Sequence, residues 1–278
     1  MPLPKKNKDK ILRAIFPNAG LEALYKKRLT ALIDEMGRSV SYFMLAQYRK
    51  DPPELLGLDP DDGPLAADAS PTAELQRQMK DLGDRWRGRF DDAAKELAAY
   101  FSKAAADRSD IQLRAILRKA GFSVKFRMTR AMNDVVQAAV QENVELIRNI
   151  PEKYLLDVQG AVMRSAQTGR DAGQLAKDLQ EKLGITKRRA SFIARDQSNK
   201  ATASVANVRY RELGIEFAEW RHSGGGREPR PSHVKAGKDH VRYKVSEGWL
   251  DPHLNKRIWP GTEPNCRCVA RALIPGFV

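Results

Sequence analysis

Cysteine is scarce in this sequence, since only Cys266 and Cys268 occur among 278 residues. Two thiols are too few for a disulfide framework, and a bridge between residues i and i+2 would be strained. We therefore expect free thiols in a reducing compartment, which excludes the disulfide-rich secreted domains.

Long apolar runs are also absent. No run approaches the ~20 residues that a membrane-spanning helix needs, and the start, "MPLPKKNKDKILRAIF", has no apolar stretch long enough for a signal peptide. The sequence predicts a soluble chain that is not exported by a signal peptide and has no membrane partner.

Acidic residues are outnumbered, and this gives a net charge of +14 and a pI near 9.8. The excess is uneven, because residues 186–278 hold 18 Lys and Arg against 9 Asp and Glu. An excess of cations favours polyanionic partners through release of counterions from phosphate. We expect non-specific contact with double-stranded DNA, and the alternative is that the charge only maintains solubility.

Helical periodicity dominates the first two thirds of the chain. Apolar residues recur at steps of three and four in an N-terminal helical region, residues 1–50, and again in a helical domain, residues 72–185. Between them, residues 51–71 are rich in Pro, Gly and Asp and are predicted to be a linker or loop.

Proline, glycine and threonine mark the expected helix boundaries. The helix from Thr72 is followed by a shorter one that stops at Gly121. Pro151 is expected to end one helix and open the next, since proline is tolerated in a first turn. Gly184 ends a further helix, and Thr186 is the expected N-cap of the long helix after it.

After Gly214 the pattern alternates instead. "IEFAEWRH", "HVRYKV" and "RCVARALI" are candidate strands, while "SGGGREPRPS" and "PHLNKRIWPGTEPN" are predicted loops. The predicted fold is therefore mainly α: an elongated N-terminal helical body is followed, over residues 186–278, by a small α+β domain with a short antiparallel sheet.

Three motifs of the C-terminal part carry a resemblance to a known family. The run "RRASFIARDQSNKATASVANVRYRELGIEFAEWRH", then "RPSHVKAGK", then "GWLDPHLNKRIWPGTEPNCRC" resembles, in order and spacing, the phage head morphogenesis domain of the Mu F-like minor head proteins. The resemblance covers roughly residues 150 to 275 and leaves the N-terminal half matched only in being helical.

The resemblance implies a minor head protein of a tailed phage, associated with the portal vertex or the capsid interior during procapsid assembly. The implied partners are the portal protein and the major capsid or scaffolding protein, together with non-specific double-stranded DNA. The implied location is the host cytoplasm before assembly and the virion head interior afterwards. The alternatives are a phage-encoded DNA-processing enzyme and a free DNA-binding protein that use the basic His/Cys region.

The two cysteines allow two interpretations. Residues i and i+2 of an extended segment face the same side, so Cys266 and Cys268 suit a zinc site that His233 completes from the preceding loop. Relatives carry Cys-x-x-Cys where this chain has Arg230 to His233, and arginine cannot bind a metal. A fourth ligand would come from Glu263, His240 or His253. The sequence favours the other interpretation, two buried structural thiols and no cofactor.

Four residues of the family motifs are predicted to be structural: Arg195, Arg230, Trp259 and Asn265. Arg195 lies beside the apolar stripe of its helix, where a guanidinium can bond loop carbonyls or a carboxylate, and the alternative is a solvated surface arginine. The tryptophans Trp220, Trp249 and Trp259 are expected in the core of the small domain rather than as a stacking platform for bases.

The basic residues predicted to contact DNA cluster around the long helix and the loops after it. They are Lys187, Arg188, Arg189, Arg209, Arg211, Lys235 and Lys238.

No catalytic constellation is evident in the sequence, which lacks a Gly-rich phosphate loop, His-Glu-x-x-His and Gly-x-Ser-x-Gly. A nuclease site around His222, His233 and His240 would also need clustered carboxylates, and only Glu228, Asp239 and Glu247 are near in sequence. We therefore expect a protein without enzymatic activity.

Overall fold

The computed structural model of the protein describes residues 9–50, 71–226 and 228–275. The predicted linker at residues 51–71 falls almost wholly outside these ranges. Within them, four long helices precede a small sheet region, so the predicted mainly α fold with a C-terminal antiparallel sheet is confirmed. In this part of the chain, no helix combines the length and the apolar character that crossing a bilayer requires.

The secondary structure follows one order along the chain. A short strand, β1 (Lys10–Ile11), precedes four long helices, and five short strands and one short helix follow. The helices are α1 (Ala19–Lys50), α2 (Pro71–Lys119), α3 (Arg130–Gln167) and α4 (Ala172–Glu212). The C-terminal elements are β2 (Phe217–Arg221), α5 (Pro231–Lys238), β3 (Arg242–Lys244), β4 (Trp249–Asp251), β5 (Lys256–Ile258) and β6 (Val269–Ile274).

Contacts divide the described residues into two compact units. Unit 1 combines the residues up to Tyr25 with Ala98–Glu142 and the residues from Phe192 onward. Unit 2 combines Lys26–Leu97 and Asn143–Ser191. Each unit is thus built from segments that are distant in sequence, and the predicted division into consecutive domains stays a prediction.

Unit 1 contains the sheet, in the order β1-β6-β2-β3, with every neighbouring pair antiparallel. Strands β4 and β5 form a separate hairpin. Ala218 and Trp220 of β2 pair with Ala272 and Ala270 of β6. These side chains belong to a core that also includes Cys266 and Cys268 and the ends of α2 and α4.

Unit 2 consists of helical segments whose buried side chains follow the 3.6-residue period. Representative buried residues are Leu29, Ile33 and Met36 in α1, Leu82, Trp86 and Phe90 in α2, Ile150, Tyr154 and Val158 in α3, and Leu175 and Leu179 in α4. Ion pairs at 2.7 and 2.8 Å join Arg89 to Glu35 and Arg87 to Glu152 at its surface.

The break predicted at Pro151 is wrong, because α3 continues through this residue. A proline inside a helix costs about 3 kcal/mol, since it removes one hydrogen bond and clashes with the preceding turn. Ile147, Ile150 and Tyr154 are buried on either side of it. Burial of each such side chain contributes about 1.5–3 kcal/mol, so the packing outweighs the local cost.

The break predicted at Gly184 and Thr186 is wrong for the same kind of reason. Helix α4 runs through both residues, and Thr186 Oγ1 donates to the carbonyl of Lys182 at 2.9 Å instead of capping a new helix. A mid-helix glycine costs only about 1 kcal/mol. Likewise α2 is one helix up to Lys119 rather than two.

Candidate functional site

The structure brings three of the predicted residues into one buried cluster. His233 on α5 and the two cysteines before β6 place their ligand atoms within 4.8 Å of one another. His233 Nδ1 lies 3.4 Å from Cys266 Sγ and 3.9 Å from Cys268 Sγ. All three side chains are at most 5% exposed. A nitrogen and two sulfurs so arranged form a set that suits a soft or borderline metal ion.

A fourth residue, Asp251, stands behind the histidine. The Asp251 side chain is completely buried at the end of β4, and its Oδ2 lies 3.3 Å from His233 Nε2 without the alignment of a hydrogen bond. Ser232 Oγ donates to the same Oδ2 at 3.0 Å. The backbone N–H groups of His253 and Leu254 donate to Oδ1 at 2.8 and 3.3 Å. The carboxylate is therefore held in place from three sides.

The electrostatics of the cluster favour a negative charge on Asp251 and on one cysteine. Burial opposes ionisation of Asp251, but the hydrogen bonds from His253, Ser232 and Leu254 outweigh it and lower its pKa. A hydrogen bond with Cys268, opposed by burial and assisted by His233, lowers the pKa of Cys266 to about 4. The same bond, together with burial, raises the pKa of Cys268. The two thiols therefore titrate as a coupled pair, in which loss of the first proton is favoured.

Local backbone chemistry positions α5 and its histidine. Pro231 opens the helix, where a missing N–H is tolerated. Gly237 lets the helix approach the end of β2, since a Cβ at this residue would lie 2.4 Å from the Cβ of His222. Arg230, just before α5, donates to the carbonyl of Pro264 at 2.9 Å and ties the helix to the cysteine loop.

The cysteine loop is held by its own set of bonds. Gly261 has φ +88°, and a Cβ there would lie 2.9 Å from the Cβ of Ala203, so only glycine fits. Its N–H points to Cys266 Sγ at 3.4 Å. Asn265 adopts φ +58°, and its backbone N–H donates to the carboxylate of Asp196 on α4.

Arg195 and the tryptophans lie where structural roles are expected. Arg195 donates to Asn265 Oδ1 at 3.2 Å and so bonds the loop from α4. Trp259 donates its indole N–H to the carbonyl of Val245 at 2.9 Å. Trp220 is fully buried and packs edge-on against His233, with ring centroids 4.9 Å apart. The motif residues thus connect elements of unit 1.

The candidates for a fourth ligand lie elsewhere. Glu263 pairs with Lys256 at 2.9 Å, and His240 lies 3.2 Å from Glu219. His253 is exposed. Among the described residues, the three-member cluster is the sole group of at least three metal-binding side chains, so the carboxylates considered for a nuclease do not join it. The prediction that this protein is not an enzyme stays a prediction.

A pocket of about 230 Å³ opens directly onto the cluster. Its wall includes His233, Cys266 and Cys268. His222, Glu228 and Arg230 line it as well. The cluster therefore adjoins a cavity with room for water or a small ligand.

The seven basic residues predicted for DNA contact do not form one set. Lys187, Arg188 and Arg189 belong to unit 2, where Lys187 pairs with Asp34 and Arg189 donates to Asn149 at 2.6 Å. The other four belong to unit 1. Lys235 pairs with Asp239 at 2.6 Å, and Lys238 is exposed.

Arg209 and Arg211 are engaged inside unit 1. Arg209 is 2% exposed and pairs with Asp110 and Glu212, each at 2.6 Å. Because its guanidinium is buried and neutralised, we withdraw Arg209 from the predicted DNA contacts. Arg211 donates to the carbonyls of Val245 and Ser246 at 3.2 and 3.1 Å.

Four other cations surround a second pocket of unit 1, which the sequence analysis missed. Arg13, Lys119, Arg221 and Arg271 line a depression of about 480 Å³ without any acidic residue in its wall. Arg271 also pairs with the buried Glu219 at 3.2 Å, whereas the other three are exposed. We call these four residues and their depression the basic pocket. They come from the N-terminal segment, α2, β2 and β6, so no local sequence pattern joins them.

Fold and site together define a class of protein: a mainly α chain whose last third forms a small antiparallel sheet, with the C-terminal motif residues arranged around a buried His-Cys-Cys cluster. Residues 156–271 match the family described as phage Mu protein F like protein. This match agrees with the resemblance that the sequence motifs carry over this part of the chain.

One curated relative comes from Haemophilus influenzae (strain ATCC 51907 / DSM 11121 / KW20 / Rd) and is described as an uncharacterized protein. It is 35% identical over 147 residues, which are 53% of this chain and 31% of the relative. The chain therefore spans less than a third of that protein. No solved structure matches the chain.

Proposed function

We propose that the chain is a minor head protein of a tailed phage that acts at the portal vertex or on the capsid interior during procapsid assembly. The observation that carries the proposal is the match of residues 156–271 to the phage Mu protein F like family. The proposed partners are the portal protein and the major capsid or scaffolding protein. The proposed locations are the host cytoplasm before assembly and the virion head interior after it.

The contacts of the motif residues support a structural rather than a catalytic role. Arg195 bonds the side chain of Asn265, and Arg230 bonds the carbonyl of Pro264, so two arginines fix one loop. Trp259 and Arg211 both bond the carbonyl of Val245. Multiple directed bonds from a planar guanidinium are a common way to fix irregular backbone.

Non-specific DNA contact is the second part of the proposal. The net charge of +14 favours it, and the basic pocket gives it a defined place in unit 1. Arg13, Lys119 and Arg221 are exposed cations from three separate segments of the chain. Such an arrangement suits phosphate oxygens, which bind cations without regard to base sequence.

Sedimentation of assembled particles tests the head assignment. The protein, expressed with the other head genes, is expected to co-sediment with both procapsids and filled heads. The variant Arg230→Ala, which loses the bond to Pro264, is expected to be incorporated several-fold less. The matched control is Lys238→Ala, which removes an exposed cation at the other end of α5 and is expected to be incorporated like the wild type. Recovery of folded wild-type protein only at the top of the gradient would contradict the proposal.

A further inference from the structure

We propose that His233, Cys266 and Cys268 bind one zinc ion, with Asp251 as the residue that orients the histidine and with a fourth coordination position that faces the pocket. The sequence alone favoured two structural thiols. The geometry of the cluster points to a metal for three reasons that do not depend on the function proposed above.

The first reason is the spacing of the ligand atoms. Zinc holds sulfur at about 2.3 Å and nitrogen at about 2.0 Å, so a tetrahedral site separates a nitrogen from a sulfur by about 3.5 Å. The two nitrogen–sulfur distances here are 3.4 and 3.9 Å. Both nitrogen–sulfur distances therefore lie within about 0.4 Å of the tetrahedral value.

The second reason is the partner of the histidine's other nitrogen. A metal-binding histidine usually donates its second ring N–H to a carboxylate, which fixes the ring and makes it a better ligand. Asp251 Oδ2 lies 3.3 Å from Nε2, and three other donors already hold this carboxylate. A buried carboxylate beside a buried imidazole is costly and needs an explanation. A metal ion bound to the opposite ring nitrogen, Nδ1, provides one.

The third reason is that the imidazole faces more hydrogen-bond acceptors than it has N–H donors. A neutral imidazole carries one N–H, yet a sulfur pair faces Nδ1 and a carboxylate faces Nε2, so acceptors stand on both sides. Nε2 is accordingly buried without a hydrogen-bond partner among the described residues. A zinc ion bound to Nδ1 lets the single N–H point to Asp251.

The pocket determines the kind of site. Zinc sites with four protein ligands are closed and structural, whereas three protein ligands leave a position for water or another small ligand. Here a pocket of about 230 Å³ adjoins the three ligands. His222 and Glu228 also line this pocket without joining the three-member cluster, so the fourth position is open to water or another small ligand.

Metal analysis of the purified full-length protein tests the proposal. After expression with zinc and purification under reducing conditions, one zinc per chain is expected. Cobalt replacement is expected to give thiolate-to-cobalt charge-transfer absorption and the intense visible bands of tetrahedral cobalt. A metal-free wild type that neither takes up zinc nor develops these bands when titrated would overturn the proposal.

Variants assign the ligands. His233→Ala and Cys266→Ser are expected to lose the metal, and Asp251→Asn is expected to bind zinc 10- to 100-fold more weakly. His240→Ala, which removes an exposed imidazole of the same domain, is the matched control and is expected to retain one zinc. Full zinc content in Cys266→Ser would contradict the assignment.

Thiol protection in the wild type covers the case in which the site variants do not fold. Zinc at saturating concentration is expected to slow alkylation of both cysteines in the folded wild-type chain at least tenfold, and a chelator is expected to reverse the effect. Equal alkylation rates with and without zinc would show that the thiols are structural, independently of any variant.

Discussion

Arg209 is a positive charge in the interior of unit 1. It is 2% exposed and donates to Asp110, to Glu212 and to the carbonyl of Arg127. Its guanidinium also lies 4.7 Å from the centre of the Phe126 ring. Burial of this group is acceptable because each of its three nitrogens donates to an oxygen, so removal of the side chain leaves two carboxylates without their cation.

We predict that Arg209→Ala destabilises unit 1 by about 2–3 kcal/mol. This is less than the about 3–5 kcal/mol expected for breaking a fully buried ion pair, because Asp110 and Glu212 are 17% and 24% exposed and regain some hydration. The measurement is the urea midpoint followed by circular dichroism. The control is Arg209→Lys, which keeps the charge but not the bidentate geometry. Its urea midpoint should lie between those of Arg209→Ala and the wild type. An unchanged midpoint in Arg209→Ala would mean that the pair contributes nothing.

Single residues also show where sequence reasoning stops. His233, Cys266 and Cys268 could be grouped as candidate metal ligands from their types and spacing, although the sequence favoured structural thiols. Asp251 was not predicted to be part of the site. The sequence "GWLDPHLN" is typical of an ordinary turn, and its residues do not indicate that the carboxylate is buried. The contact between Asp251 and His233 joins residues 18 positions apart across separate elements. Only the tertiary fold creates such a contact.

At the scale of elements, glycines at helix ends were predicted correctly, whereas residues predicted to interrupt helices were not. Gly121 and Gly214 were predicted at helix ends, and both adopt positive φ two residues after the ends of α2 and α4. Pro151 and Gly184 were predicted to break helices but lie inside them. A glycine at a helix end is favoured because it adopts the left-handed backbone conformation required there. A proline or glycine inside a helix only lowers the stability of the helix, and burial of neighbouring side chains can outweigh this loss.

The short elements escaped prediction for a different reason. Helix α5 has 8 residues, and strands β4 and β5 have 3 residues each. Such lengths hold too few residues for a hydrophobic period to emerge. Strand β1 forms only because β6 supplies its partner from the other end of the chain. Short elements of this kind depend on the tertiary structure around them.

Close packing of α5 gives the prediction at this scale. We expect Gly237→Ala to destabilise the protein by about 1–3 kcal/mol, since the new Cβ would lie 2.4 Å from the His222 Cβ and 2.8 Å from its backbone nitrogen. The matched control is Gly88→Ala in α2, where nothing lies within 4 Å and a gain of up to about 1 kcal/mol is expected. The measurement is the melting temperature of both variants. A melting temperature of Gly237→Ala at or above that of the wild type would contradict the prediction.

At the scale of the whole molecule, both compact units use distant parts of the chain. Strand β1 belongs to unit 1, while most of α1 belongs to unit 2, so the N-terminal 50 residues contribute buried side chains to both. Removal of this region would therefore expose apolar surface in each unit. Point substitutions in the full chain leave both cores in place, whereas truncation of this region would not.

The distribution of charge over the whole molecule leads to the last prediction. We expect the full chain to bind duplex DNA without sequence preference and to release it as salt rises, with a log-log slope of about 0.9 per phosphate neutralised. Replacing Arg13, Lys119 and Arg221 of the basic pocket by alanine should weaken binding to all sequences alike and flatten this slope by up to about three contacts. Filter binding at several salt concentrations measures both quantities.

A second triple variant with the same loss of charge separates the basic pocket from net charge alone. Replacing Lys187, Arg188 and Arg189 by alanine should flatten the slope by about one contact, because Lys187 is paired with Asp34 and Arg189 is bonded to Asn149. If both triple variants lowered the affinity and the salt slope equally, binding would depend on overall charge, because the position of the lost charges would not matter. No retention of DNA by the wild type at low salt would mean that the charge serves an acidic protein partner or solubility instead.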